Sequence, residues 1–414
     1  MNENQSSAPF PGKNIYLGGI YPFKPDGLVI SPESNNLPTN TPSLTNLKNY
    51  RSRIYFSEQG LSFPLKSYEL SISRLSLTLT TGKTLANLEL KAYISIYEET
   101  FATIVFWVSL EGYNFQLNEL VEIIALTRNT NERVKVNQSC LITIQEDNYQ
   151  FYNNFLEICQ LVLKPKIVAR HGTEKPDSKI ELLYPMLFVG EMPCDSKEEI
   201  LQKYSQEITA LAEVWISNTV DIHESEIERV KKTEFHPFNF GLSVITAGCT
   251  VELHPRINQE DFSASLAELL ATERLVLSTI CELPIAKYYL LRLYDRRLST
   301  EDLNIIPSNG LLYWVFPIYL IVRALQLTII RSSLLRGLYL FFQSVYITRK
   351  SYTKVAFERY SSIFNLSLLE ESIDKKIQSL NDSIRTIYSM LLSLFGLILS
   401  LLGLGLALIK FVLK

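Results

Sequence analysis

The sequence predicts an α+β body, then an all-helical region, then a single C-terminal membrane helix. Three observations carry this. Apolar side chains alternate with a period of two between about residues 67 and 110. Strand patterns stop beyond Asp261. From Thr386 to Ile409 there is no charged side chain.

Residues 1–50 are rich in Pro, Ser, Asn and Gly and are expected to form a loosely ordered arm, with one short strand around Asn14 to Ile20. A first α+β stretch, 51–165, opens with a strand near Leu75 to Thr80 that turns through Thr81-Gly82-Lys83. In the next strand Leu88, Leu90, Ala92, Ile94 and Ile96 face one way and Glu89, Lys91, Tyr93, Ser95 and Tyr97 the other. Glu98-Glu99-Thr100 leads into a third strand patterned by Ile104, Phe106, Val108 and Leu110. Such a run is an antiparallel meander with one buried face. Leu117, Leu120, Val121 and Ile124 have helical spacing and place a helix on that sheet; a strand at Leu141–Gln145 and a helix at Phe151–Leu163 complete the stretch.

A second α+β stretch, 166–260, carries a strand at Leu182–Val189, a helix at Lys197–Val214 and a strand at Leu242–Leu253. The helical region, 261–365, starts with Phe262–Glu282, is checked by Pro284 and resumes from Ile285 to Arg297. Within it, Leu311 to Ile330 is apolar but interrupted by Pro317, Arg323 and Gln326. It is expected to be a buried or membrane-surface helix. A second span there would translocate the strongly basic stretch from Arg331 to Arg385, against the positive-inside tendency.

Two periodic faces mark the C-terminus. Ile373, Ile377, Leu380, Ile384, Ile387, Leu391, Leu394 and Ile398 keep a strict 4-3 spacing. They form a heptad seam that runs from a coiled-coil-like stalk, 366–385, into the membrane helix, 386–409. Ser389, Ser393, Gly396, Ser400, Gly403 and Ala407 form a second, small-residue face suited to close helix packing or to lining a narrow pore. Arg385 marks one membrane border, and Lys410 and Lys414, in the basic tail 410–414, mark the other. The partners these patterns predict are the lipid bilayer and further copies of the same chain.

Composition narrows the function classes. The 414 residues are 47% apolar and 20% charged with a formal net charge of -3, so no basic field points to nucleic acid. The five cysteines are widely spaced with no Cys-x-x-Cys pair, as expected of reduced thiols. The polar start, Met1 to Pro11, has no apolar h-region, and the body is expected on the cytosolic side.

No catalytic residue or metal site is expected, and the patterns leave any cofactor open. Thr81-Gly82-Lys83-Thr84 lacks the earlier glycine and the following helix that a phosphate-binding loop needs, and reads as a hairpin turn. Arg170-His171-Gly172 resembles the signature of histidine phosphatases, in which the histidine accepts a phosphoryl group; that chemistry needs a second histidine and further arginines. His223, His236 and His254 are the candidates, and His236 and His254, each before a proline, read as turns. The four histidines show no His-x-x-x-His spacing.

In its order of elements and its seam from Ile373 to Ile398, the chain resembles CorA-type divalent-cation channels. The resemblance implies a cytosolic α/β body, a helical stalk and a symmetric ring of membrane helices. It transfers no functional residue, because Gly396, Gly403 and Gly405 are each followed by leucine where that family has Gly-Met-Asn. The expected function is therefore a homo-oligomer whose body senses a small ligand or a protein and passes the change to a membrane bundle, as an ion channel or membrane-perturbing effector. The alternatives are a tail-anchored scaffold or adaptor, and a membrane-tethered enzyme.

Overall fold

The computed structural model describes residues 9–23, 45–46, 65–97, 101–127, 141–144, 150–152, 154–163, 182–214, 222, 224–232, 234–235, 241–256, 266–300, 316–345 and 358–413. Its contacts divide the chain into two units, Met1–Leu290 with Val345–Leu366, and Leu291–Ser344 with Ser367–Lys414.

The first unit is built on one mixed sheet. The strands are β1 (Lys13–Phe23), β2 (Thr45–Asn46), β3 (Leu65–Thr78), β4 (Thr84–Tyr97), β5 (Phe101–Ser109), β6 (Leu141–Ile144), β7 (Gln150–Tyr152), β8 (Tyr184–Glu191), β9 (Glu234–Phe235), β10 (Leu242–Ile245) and β11 (Thr250–Leu253). Their order is β7-β6-β3-β4-β5-β1-β8-β11-β10-β9, with β2 beside β3. Every pairing is antiparallel except β8 with β11. The meander β3-β4-β5 stands where the alternation places it, and Leu79 and Lys83 close its first turn through backbone hydrogen bonds.

The strand expected in the N-terminal arm occupies the middle of this sheet. β1 pairs with β5 on one side and β8 on the other, and so joins the two stretches, 51–165 and 166–260, that the sequence presents separately. Gly18 and Gly19 make this possible: an added Cβ would lie 2.7 Å from the Trp107 ring and 2.6 Å from the Phe106 ring. Adjacent side chains on β5 point to opposite faces, and the two glycines leave room for one aromatic on each.

Both faces of the central strands are covered. One face packs on α1 (Leu117–Ala125), α2 (Phe155–Leu163), α3 (Lys197–Lys203), α4 (Ser205–Glu213) and α5 (Glu224–Lys231), with Leu17, Phe106, Leu187 and Val251 in its core. The other, holding Ile20, Val105, Trp107 and Phe188, packs on α6 (Leu266–Thr300) and Tyr360. This corrects the one-sided pattern read for β5: Thr103, Val105 and Trp107 are buried along with Ile104, Phe106 and Val108.

Several elements also differ from expectation. β3 begins at Leu65, ten residues before Leu75, and the expected helix Phe151–Leu163 is strand β7 followed by a helix that starts only at Phe155. The 197–214 helix is two helices, because Tyr204, with φ -121° and ψ 24°, leaves helical geometry. The 242–253 strand is a hairpin whose turn is fixed by Thr246: its hydroxyl accepts from the amides of Gly248 and Cys249. Pro284 does not interrupt α6, which runs through it for 35 residues. A proline costs a helix one backbone hydrogen bond, and here buried Cys281, Ile285 and Ala286 hold the helix on either side of it.

The second unit contains the end of α6, α7 (Phe316–Val345) and α8 (Leu366–Val412). Asp295 accepts from Ser372 at 3.0 Å and from Lys376 at 2.5 Å, and Lys376 reaches Ser299 at 2.7 Å. Burial would raise Asp295, but the hydrogen bonds from Lys376 and Ser372 outweigh it and hold the carboxyl below its usual range. On α7, Leu320, Ala324, Leu327 and Ile330 are buried while Ile318, Ile321, Val322, Leu325 and Ile329 are exposed. Among the described residues α8 alone is long and apolar enough to cross a membrane.

Candidate functional site

Helix α6 buries an unusual set of polar side chains. Glu273, Ser278, Glu282 and Lys287 are all buried, although carboxylates and ammonium groups are almost never enclosed without partners. The sheet supplies several partners: Trp107 Nε1 donates to Ser278 at 2.8 Å, and Thr103 donates to Glu282. Deeper along the helix a hydroxyl chain links Tyr184, Thr250, Tyr360 and Cys281, with Thr250 and Tyr360 2.6 Å apart and Tyr360 2.7 Å from the Cys281 sulfur. Burial pushes that thiol up to about 12, so it is a structural group rather than a nucleophile.

At the α6 end nearest its N-terminus, Glu252, His254 and Glu273 converge, their ligand-capable atoms within 4.8 Å of one another. β11 sends Glu252 and His254 to the same side, two residues apart. The backbone of His254 is clamped against β8: its amide donates to Val189 at 3.0 Å and its carbonyl accepts from Met192 at 2.7 Å. The expected turn at His254-Pro255 is therefore a fixed, buried extension of the strand pairing. Gly241 permits it, since an added Cβ would lie 2.6 Å from the imidazole.

The imidazole sits between two carboxylates. Nε2 is 2.9 Å from Glu252 Oε1, whose other oxygen accepts from Ser243 at 3.3 Å. Nδ1 is 3.0 Å from Glu273 Oε2. Phe188 lies against the ring at 4.8 Å between centroids, and the Arg274 guanidinium lies over the Tyr16 ring at 3.4 Å. Burial would lower His254, but the hydrogen bond and charge of Glu252 and the charge of Glu273 outweigh it and raise it. Burial raises Glu273 to about 7, against the pull of His254. Chemically the trio can hold a proton between its members or a cation between its donors.

The residues singled out from sequence fall elsewhere. Of the seam, Ile373, Ile377, Leu380, Ile387 and Leu391 are buried within a single chain, Ile384 and Leu394 are half-buried, and Ile398 is exposed. The 4-3 spacing thus has an intramolecular cover over most of its length from Ile373 to Leu391. All six of Ser389, Ser393, Gly396, Ser400, Gly403 and Ala407 are exposed, as are Arg385 and Lys410. The Ser400 hydroxyl donates to the Gly396 carbonyl of its own helix at 2.8 Å. Lys414, His171, His223 and His236 lie outside the described residues.

Sequence reading missed the trio. The signal was Glu252-x-His254, a period-two pair that puts two ligating side chains on one face of a strand; nothing in the sequence pairs it with Glu273. Comparison with known protein families, curated proteins and solved structures finds no match for this chain.

Proposed function

We propose that the chain is a membrane-anchored sensor or effector, with its α+β body on the cytosolic side and α8 as the anchor. The observation that carries this reading is the change along α8. Its first half buries Ile373, Ile377 and Leu380, whereas from Leu392 onward large apolar side chains are exposed in every direction, Leu399 at 68% and Phe411 at 82%. Exposing such a side chain to water forgoes about 1.5–3 kcal/mol each, and more than a dozen are exposed here; hydrocarbon removes that cost.

Helix α6 belongs to both units. Its buried polar side chains and its Asp295 pairing to α8 suit a part that relays a change in the body to the anchor. In this reading the small-residue face from Ser389 to Ala407 packs copies of the chain together in lipid, and the bundle conducts ions or perturbs the bilayer, in keeping with the CorA-type layout.

A second reading has support of its own. Because one chain covers most of the stalk seam, assembly is not required to bury it, which favours a monomeric tail-anchored adaptor whose body binds a protein. The assembly size of the full chain in detergent, followed by conductance after reconstitution, separates the two. A ring of four or more copies, with a current altered by Ser393→Leu, supports the effector. A silent monomer overturns it and leaves the adaptor.

A further inference from the structure

Beyond that reading, we infer that His254 Nδ1 and a Glu273 carboxylate oxygen are the protein ligands of a divalent transition-metal ion, with Glu252 as the outer group that orients the imidazole.

The inference rests on two buried atoms that meet at ion-pair distance without making a hydrogen bond. His254 Nδ1 and Glu273 Oε2 are 3.0 Å apart, yet neither makes a hydrogen bond. The oxygen lies off the direction in which the ring N–H would point. A buried donor and acceptor left without a hydrogen bond are costly, and a cation held between them would satisfy both. Two donor atoms each about 2.1 Å from one cation, at right angles around it, are themselves about 3.0 Å apart. The observed separation fits neighbouring ligands of a five- or six-coordinate ion.

The far side of the ring completes the pattern. Metal-bound histidines usually donate their other nitrogen to a carboxylate, which fixes the tautomer and strengthens the ligand. Here Nε2 faces Glu252, and Ser243 holds Glu252 in turn. Imidazole with carboxylate, and no thiolate, suits zinc, manganese or iron(II) better than calcium or magnesium. The fixed charges nearby are two carboxylates and the Arg274 guanidinium, so a dication would leave a net positive centre. Its remaining positions would take water or an anionic group.

The test uses full-length chain in detergent, free of affinity tags, stripped with chelator and titrated with Zn²⁺ or Mn²⁺ alone. Expected are one ion bound per chain by calorimetry and a higher thermal transition with metal than without. Glu273→Gln, which keeps the side-chain shape, should weaken binding at least tenfold and abolish the metal-dependent part of the thermal shift. Glu252→Gln should weaken it roughly 10–100-fold while keeping one ion per chain. If His254→Ala does not fold, Glu273→Gln still decides. Absence of stoichiometric binding, or binding that Glu273→Gln leaves unchanged, overturns the inference.

Discussion

Helices α6 and α8 invert one another. α6 hides charge, with Glu273, Glu282 and Lys287 enclosed; α8 displays hydrocarbon, with most of its leucines beyond Leu391 exposed. Each violates the ordinary division between an apolar interior and a polar surface. In α6 the violation is tolerable because the sheet side offers partners, Thr103 to Glu282 and His254 to Glu273. In α8 no side chain among the described residues covers the leucines beyond Leu391.

Removing residues 386–414 has the largest expected effect on this contrast. The truncated chain should leave the membrane fraction entirely and keep the circular-dichroism signature of its sheet. Retention in the membrane would transfer the anchoring role to the exposed apolar face of α7.

Next in size is Gly18→Leu. A side chain there must displace the Trp107 ring, and overpacking of this kind costs about 1–3 kcal/mol or more. Thermal unfolding of the body should fall by several degrees. An unchanged transition would mean that β1 is not the strand joining β5 to β8.

A smaller effect is expected from Asp295→Asn, which removes the charge partner of Lys376 in a half-buried setting. The loss should be about 1 kcal/mol. The same pair gives a pH dependence of known sign. Because the folded-state Asp295 is held below its usual value, its contribution is present at neutral pH and is lost as pH falls through the folded value, below the usual carboxylate range. Wild type should therefore lose its advantage over Asp295→Asn on acidification. A difference that grows instead would contradict the pairing.

The legible parts of this molecule are those set by local periodicity. Leu88, Leu90, Ala92 and Ile94 announce a strand, and the uncharged run ending at Ile409 announces a helix suited to lipid, because burial on one side or none leaves a simple pattern. β1 was less legible: its place in the sheet centre depends on Gly18 and Gly19 fitting aromatics nearly ninety residues away. The seam from Ile373 shows the same limit. A 4-3 spacing reports that a face is covered and is silent about whether the cover is another chain or this one. The trio was least legible, since Glu273 meets His254 only through the packing of α6 on the sheet.

The most direct measurement is a nitroxide scan of single cysteines from position 392 to 409 in the full chain, reconstituted in vesicles. Anchoring predicts that each position is accessible to oxygen and shielded from a water-soluble nickel reagent, with the depth changing smoothly toward Lys410. A 3.6-residue alternation between nickel-accessible and protected positions would place the helix on a protein surface in water, and would contradict the account.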